Sequence, residues 1–289
     1  MCRVRQIESA TAFLESAEPF LLAKEAEYNL LLGVTTSLSE QEETGRVPVM
    51  NCPISPAALL MTVESGGETV ACAVRTPPYR LIITHGSDKA LSALADHLAE
   101  FDSELPGVIG PAASGSVFAR RWSEVTGAET ATGRSMRILR LDRVDWPAEP
   151  PPGAFRAAEP GDTAELERWI YSFGDEIGEE QDGRTLARSR IAEGSLFIWE
   201  QEGLRSMAAA ARRTPNGRSV NLVYTPKAYR GRGYASACVA ALSDRILKCG
   251  FTHCSLYTDA SNPTSNHIYE QIGYRQIGES REVAFRCRK

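Results

Sequence analysis

Residues 221–236 read Asn221-Leu222-Val223-Tyr224-Thr225-Pro226-Lys227-Ala228-Tyr229-Arg230-Gly231-Arg232-Gly233-Tyr234-Ala235-Ser236. The apolar run at the start of this stretch predicts a strand, and the Arg-Gly-Arg-Gly that follows predicts a loop. An amphipathic helix begins directly afterwards, with Val239, Leu242 and Ile246 on one face. The free backbone N–H groups at a helix start bind anions, and glycine lets the backbone approach them closely. The order of strand, loop and helix therefore predicts a pyrophosphate site.

Other interpretations of the loop have to be weighed. Gly231 and Gly233 are also ordinary turn residues, and Arg-Gly-Arg-Gly occurs in RNA-binding tracts. An RNA-binding tract would repeat in disordered sequence, whereas this one occurs once, between a strand and a helix. A dinucleotide site would need G-x-G-x-x-G within a parallel strand-helix-strand unit. The simple turn stays open as the alternative to the phosphate loop.

Composition limits the classes of partner. The 289 residues carry a formal net charge of -5, with 43% apolar and 24% charged residues. A mildly acidic chain has no general attraction to nucleic acid or to anionic membranes, so we expect neither as a partner. The seven cysteines include no C-x-x-C pair, which argues against a disulfide framework and a zinc site and favours a cytoplasmic protein without metal.

A proline-rich segment at residues 146–153 divides the chain. We predict one domain over residues 1–145 and a second over residues 154–289, both of the α/β class with a mixed sheet. The second has the element order strand, two helices, three strands, helix, strand, helix and two final strands around Arg275 and Val283. The first repeats much of this order and is predicted to close on a strand over residues 136–141.

A second motif lies further along, where residues 262–274 read Asn262-Pro263-Thr264-Ser265-Asn266-His267-Ile268-Tyr269-Glu270-Gln271-Ile272-Gly273-Tyr274. The run Arg230-x-x-Gly233-x-Ala235 resembles the R/Q-x-x-G-x-G/A motif of the GNAT superfamily of N-acetyltransferases. The later segment is similar to that family's other signature, an Asn followed seven residues later by Tyr and then by a Gly-aromatic pair. The second half is most similar to the branch that includes glycine N-acyltransferase-like proteins, and the resemblance implies two tandem GNAT-like domains, the first of them degenerate.

The resemblance also implies a role for each matching residue. Acetyl-CoA would be the co-substrate, and a primary amine, on a small molecule or a peptide, would attack its thioester directly. Tyr269 would be the general acid for the departing thiolate, although a half-buried core tyrosine is the alternative. Asn262 would contact the cofactor, and it also fits a helix N-cap followed by Pro263. The cofactor-binding residues implied are Leu222, Val223, Tyr224, Arg230, Gly231, Arg232, Gly233, Tyr234, Ala235, Ser236, Asn262, Asn266 and Tyr269.

The chain departs from the family at the general base. Many members carry a glutamate on the strand before the loop, but this strand has Ser219, Val220 and Asn221, none of which takes a proton at neutral pH. This absence favours a rival function, a non-catalytic acyl-CoA-binding sensor or interaction protein, whereas Tyr269 argues for an enzyme. Glu179 and Glu180 are candidates for contacting the acceptor, with a solvated acidic loop as the alternative. The acceptor, the acyl length and a homodimeric state stay open.

Two further expectations concern other parts of the chain. The first half has Thr84-His85-Gly86-Ser87-Asp88-Lys89 in place of the phosphate loop, and we expect Asp88 to cap the next helix and to occupy its N–H groups. That half is therefore predicted to bind no coenzyme A. The thiols of Cys238, Cys249 and Cys254 are predicted to be buried rather than nucleophilic.

Overall fold

The computed structural model describes residues 2–45, 58–101 and 105–286. The strands are Arg3–Ile7 (β1), Leu59–Ser65 (β2), Glu68–Arg75 (β3), Leu81–Ile83 (β4), Gly107–Pro111 (β5), Glu129–Leu141 (β6), Ala154–Ala157 (β7), Leu196–Glu200 (β8), Leu204–Arg213 (β9), Gly217–Tyr224 (β10), His253–Asp259 (β11) and Arg275–Arg286 (β12). The α-helices are Ala10–Leu22 (α1), Asn29–Thr44 (α2), Asp88–Ala99 (α3), Ala112–Thr126 (α4), Thr163–Ile177 (α5), Gly183–Ala192 (α6), Tyr234–Lys248 (α7) and Pro263–Ile272 (α8).

One mixed sheet joins the two halves of the chain. Its 12 strands lie in the order β1-β2-β3-β4-β5-β12-β6-β11-β10-β9-β8-β7. Most neighbours are antiparallel, but β4 pairs with β5 and β10 pairs with β11 in parallel. The predicted α/β class with a mixed sheet is confirmed.

The last strand of each half has changed places with the other. β6 pairs with β11 from Cys254↔Leu141 to Asp259↔Met136, and β12 pairs with β5 from Ser280↔Pro111 to Ala284↔Gly107. The prediction that residues 136–141 close the first half was therefore wrong, because their partners come from the second half. The two predicted final strands are one strand, β12, with register shifts after Gln276 and Arg281. The boundary at residues 146–153 stays a prediction.

Gly107 shows how closely the exchanged strand fits. A Cβ at this position would lie 2.3 Å from the Val283 carbonyl oxygen of β12, far inside van der Waals contact. The side chains of Val283 and Phe285 also complete the apolar core formed by α3, α4 and the first strands. The first half therefore depends on β12 for its own core.

Helices cover both faces of the sheet in each half. In the second half α7 and α8 pack on one face, around Leu242 and Tyr274. α5 and α6 pack on the other face, around Leu166 and Ile170. Most of the side chains in these two clusters are apolar, and their removal from water is the main source of stability. No helix in the three described ranges is long and apolar enough to cross a membrane.

Candidate functional site

β10 and β11 stop pairing part-way along their length, which leaves an opening in the sheet between their C-terminal ends. They are paired only from Gly217↔His253 to Ser219↔Ser255, although the strands continue to Tyr224 and Asp259. Leu222 has a φ of 49°, and the register of β10 on β9 shifts there. A bulge of this kind bends a strand away from its neighbour. The backbone edge of β10 around Leu222 is thus available to pair with an extended ligand.

The predicted phosphate loop presents a set of free backbone donors. Gly231 and Gly233 have φ values of 75° and 79°, in the left-handed region that favours glycine. Gly233 is the N-cap of the 15-residue helix α7, and the first bond of the helix is from Ala237 N to Gly233 O at 3.0 Å. No backbone N–H from Gly231 to Ser236 donates to an acceptor in the described part of the protein. Unpaired donors at the positive end of a helix are suited to a pyrophosphate.

The Pro-rich segment borders this loop. A Cβ on Gly233 would lie 3.6 Å from Cδ of Pro151, which is ordinary contact. The neighbouring Pro152 carbonyl accepts a 3.0 Å hydrogen bond from the indole of Trp199 on β8. The segment is thus held against the second half beside Gly233, a position that its sequence did not indicate.

Arg230 has a different environment from that expected of a free phosphate ligand. Its Nη2 donates to both carboxylate oxygens of Glu176, at 2.8 and 2.7 Å, and its Nε donates to the Thr225 carbonyl at 2.8 Å. Arg232 is exposed and makes no ion pair with any residue that the structure describes. Sequence reasoning missed Glu176, which is 54 positions away from Arg230 and carries no local signal.

The second motif forms the start of α8 as predicted. Asn262 Oδ1 accepts a 3.1 Å hydrogen bond from Ser265 N, and Pro263 is the first helical residue. Asn266 is buried and donates from Nδ2 to the carbonyls of Asp259, at 3.2 Å, and Ala260, at 3.4 Å. Its Oδ1 is buried without a partner among the described residues. Asn262 is thus confirmed as an N-cap, and Asn266 fixes the connection from β11 while retaining one unused acceptor.

Tyr269 lies in the core of the second half. Its ring packs edge-on against Tyr274 at 5.9 Å, and the residue is 8% exposed. Its hydroxyl makes no hydrogen bond to any group in residues 2–45, 58–101 or 105–286. Burial raises the pKa of this phenol well above its usual range, so the hydroxyl keeps its proton at all ordinary pH values. Tyr269 is thus a core tyrosine, and its role as the general acid stays a prediction.

The strand positions that lack the glutamate serve packing. Ser219 is buried, and its hydroxyl bonds to Asn29 Oδ1 at 2.9 Å and to Ser255 Oγ at 3.0 Å. Val220 belongs to the core. Asn221 Oδ1 is buried without a partner in the described chain. Asn29, which begins α2 of the first half, was missed from sequence because 190 positions separate it from Ser219.

Glu179, one of the two acidic acceptor candidates, already has a partner. Its Oε1 lies 2.7 Å from Nη1 of Arg134 on β6, and Arg134 Nη2 donates to the Ile177 carbonyl at 2.8 Å. Glu180 is exposed and forms no ion pair with the described residues. The direct contact of either carboxylate with an acceptor stays a prediction.

Two of the three cysteines that were predicted to be buried are buried. Cys238 and Cys254 are buried, and burial raises the pKa of each thiol to about 12. Cys249 is exposed, so the prediction of its burial was wrong; it follows the last turn of α7, where the helix leaves the core. Cys52 and Cys287 lie outside the described residues.

The loop in the first half that matches the phosphate loop is capped by a side chain. Ser87 Oγ accepts from Ala90 N at 3.3 Å, while the Asp88 carboxylate lies 3.6 Å from Arg120 Nη2. The prediction that Asp88 caps α3 was wrong, because the helix starts at Asp88 and its N-cap is one residue earlier. The absence of coenzyme A binding in this half stays a prediction.

Comparison with known proteins shows what this geometry resembles. Residues 198–283, from β8 to β12, match the family model described as FR47-like protein. An uncharacterized N-acetyltransferase of Bacillus subtilis, YycN, is 39% identical over 54 residues, 19% of this chain. The matched region spans 33% of that relative's length. A GNAT-family acetyltransferase from Colwellia psychrerythraea superposes with a TM-score of 0.58 over 99% of this chain and 100% of its own, at 12% identity.

The second half therefore has the fold of GNAT acetyltransferases. The GNAT fold also extends through the first half, since a tandem GNAT protein from the clavulanic acid biosynthesis pathway superposes with a TM-score of 0.56 over 99% of this chain and 98% of its own, at 11% identity. A Drosophila protein of known structure superposes with a TM-score of 0.71 over 99% of both chains, at 14% identity. At these identities the structural likeness establishes the fold, and the predicted resemblance is confirmed.

Proposed function

We propose that this protein is an acetyl-CoA-dependent N-acetyltransferase that transfers an acetyl group to a primary amine. The observation that carries the proposal is the placement of the unpaired edge of β10 directly before the free N–H groups of residues 231–236. A pantetheine arm needs an extended backbone partner, and a pyrophosphate needs convergent donors. The FR47-like match covers both features.

The protein supplies three things to acetyl-CoA. The edge of Leu222, Val223 and Tyr224 accepts the pantetheine amides, and residues 231–236 hold the pyrophosphate. Arg230 adds positive charge at the same loop, where Glu176 now neutralises it. Among the residues described, no three His, Cys, Asp or Glu side chains form a group suited to a metal ion, and the proposed reaction uses none.

Tyr269 provides the proton for the leaving group. A neutral amine nitrogen forms a bond to the thioester carbonyl carbon, the carbon–sulfur bond breaks, and the phenolic proton moves to the departing sulfur. The nitrogen loses one of its own protons to water as the amide forms. Because Ser219, Val220 and Asn221 hold no titratable group, the proton of the ammonium form goes to water before the attack. The enzyme therefore acts on the fraction of acceptor that is already neutral. The tyrosine regains its proton from solvent after the product leaves.

Release of free coenzyme A tests the proposal directly. Acetyl-CoA is incubated with the protein and a panel of polyamines, amino acids and peptides with free N-termini, and free thiol is measured. Acetyl-CoA binding is measured in parallel by calorimetry. Release that depends on both protein and amine supports the enzyme, and a protein that does not bind acetyl-CoA contradicts it.

The second candidate is an acyl-CoA-binding sensor without turnover. The specific observation in its favour is that Ser219, one of the three strand positions without the usual glutamate, is committed to the contact with Asn29. Binding of acetyl-CoA without thiol release, across the whole panel, would favour this candidate. The cytoplasmic location stays a prediction under either function.

A further inference from the structure

The end of α5 and the turn after it, residues 176–179, lie across the opening between β10 and β11. We call these residues the bridging segment. At one side Glu176 binds Arg230, which is itself tied to Thr225 just after β10. At the other side Glu179 binds Arg134 on β6. Since β11 lies between β10 and β6 in the sheet, the bridging segment crosses the C-terminal ends of both separated strands.

The bridging segment has a compact, defined shape. Gly178, with a φ of 67°, ends α5, and Glu179 N donates to Gly174 O at 2.9 Å. The chain returns so closely that a Cβ on Gly174 would lie 2.5 Å from the Glu179 carbonyl oxygen. A turn that is this tightly packed has little conformational freedom. Its position over the cleft therefore depends on what holds its two ends.

Arg134 reaches the bridging segment only because of the strand exchange. β6 belongs to the first half in sequence. Even so, the backbone carbonyl of Ser135, the residue after Arg134, accepts a 3.0 Å hydrogen bond from Ala260 N at the end of β11. From there the guanidinium donates both to the Glu179 carboxylate and to the Ile177 carbonyl at the end of α5. The side chain of Arg134 is 26% exposed, so water only partly screens the pair.

We propose that Arg134 of the first half is a positioning residue for the acceptor amine. It fixes the bridging segment across the opening between β10 and β11, beside the strand edge assigned to the pantetheine arm, and it acts through that segment without touching acetyl-CoA. The inference rests on the proposed acetyltransferase function and assigns the first half a part in the reaction. Within the described residues Arg134 forms hydrogen bonds to Glu179 and Ile177 and none to residues 231–236, so we expect its loss to affect the acceptor more than the pyrophosphate.

The test compares Arg134→Ala with a control on the same strand. Arg140→Ala removes an arginine whose carboxylate partner, Asp142, is two residues away at 2.7 Å and belongs to the same half. We expect Arg134→Ala to raise KM for the amine about three- to tenfold, the range for losing a partly exposed ion pair and a charge-assisted hydrogen bond. The Kd for acetyl-CoA should stay within about twofold, and Arg140→Ala should match the wild type in both.

A double-mutant cycle with Glu179→Ala separates positioning from direct binding. If Glu179 acts through Arg134, the double variant raises KM no more than the larger single variant does. Additive effects would mean that Glu179 contacts the amine independently, and they would overturn the inference. Equal losses of affinity for the amine and for acetyl-CoA would indicate a general structural role for Arg134, and this result would also overturn the inference.

Hydrogen exchange of residues 174–182 in the full chain gives a readout that does not need turnover. Faster exchange of this segment in Arg134→Ala, and not in Arg140→Ala, supports the tether. Unchanged exchange overturns the inference and leaves the acetyltransferase function standing. If the wild type acetylates no amine in the panel, the proposed function fails, and the positioning role fails with it.

Discussion

Gly233→Glu tests the anion site most directly. Gly233 is the N-cap of α7, with a φ of 79°, and its Cβ position is 3.6 Å from Pro151. There is room for a side chain, and the left-handed conformation costs any other residue about 1–2 kcal/mol, which a domain of ordinary stability tolerates. The new carboxylate would stand beside the free N–H groups of residues 231–236. Two like unit charges about 5 Å apart at an effective dielectric constant of about 20 repel by about 3 kcal/mol.

That repulsion corresponds to a loss of acetyl-CoA affinity of roughly 100-fold. The assay is calorimetric titration, with thermal unfolding of each variant to show that the fold persists. Gly233→Ala is the matched control, because it introduces the backbone strain without the charge and is expected to weaken binding by less than about tenfold. If the folded Gly233→Glu variant binds acetyl-CoA as the wild type does, residues 231–236 do not hold the pyrophosphate.

Tyr269→Phe is expected to lower kcat by roughly 10²- to 10⁴-fold with little change in the Kd for acetyl-CoA; a decrease smaller than about threefold, measured by thiol release, would leave Tyr269 with packing alone. The pH profile of kcat/KM should rise as the amine becomes neutral and should show no descending limb below about pH 10, because burial raises the pKa of Tyr269 above that of a free phenol. Because the pKa is raised in the folded state, the neutral phenol contributes to the free energy of unfolding below pH 10, and this contribution is lost as pH rises through the folded-state pKa. The wild type should therefore lose more stability than Tyr269→Phe over this pH range, which alkaline unfolding curves of the two proteins would measure. Calorimetry of the full chain should give one acetyl-CoA per chain, and two would show that the first half also binds. A fragment ending at residue 145 is no substitute, since it lacks Val283 and Phe285 of β12 from its core, and we expect it to fail to unfold cooperatively.

The sequence alone determined the features that depend on neighbouring residues. The loop at Gly231 and Gly233 and the N-cap at Asn262 were predictable because backbone conformation and capping are decided within about four positions. The apolar face of α7 followed from its helical period. The cofactor contact of Leu222, Val223 and Tyr224 was expected only through the family resemblance, and neither the separation of β10 from β11 nor the positive φ of Leu222 was part of that expectation.

Tertiary structure alone decided which distant groups meet. The partners Arg230 and Glu176, Arg134 and Glu179, and Ser219 and Asn29 are 54, 45 and 190 positions apart. The sequence shows that a buried charged or polar side chain needs a hydrogen-bonding partner, but it does not show which residue is that partner. The exchange of β6 and β12 could not be predicted for a related reason. The alternation of residues in a strand shows which side chains are buried, but it does not identify the neighbouring strand, because the backbone hydrogen bonds are the same for any neighbour. Only the packing of both cores, with Phe285 filling the first, selects the strand that lies beside β5.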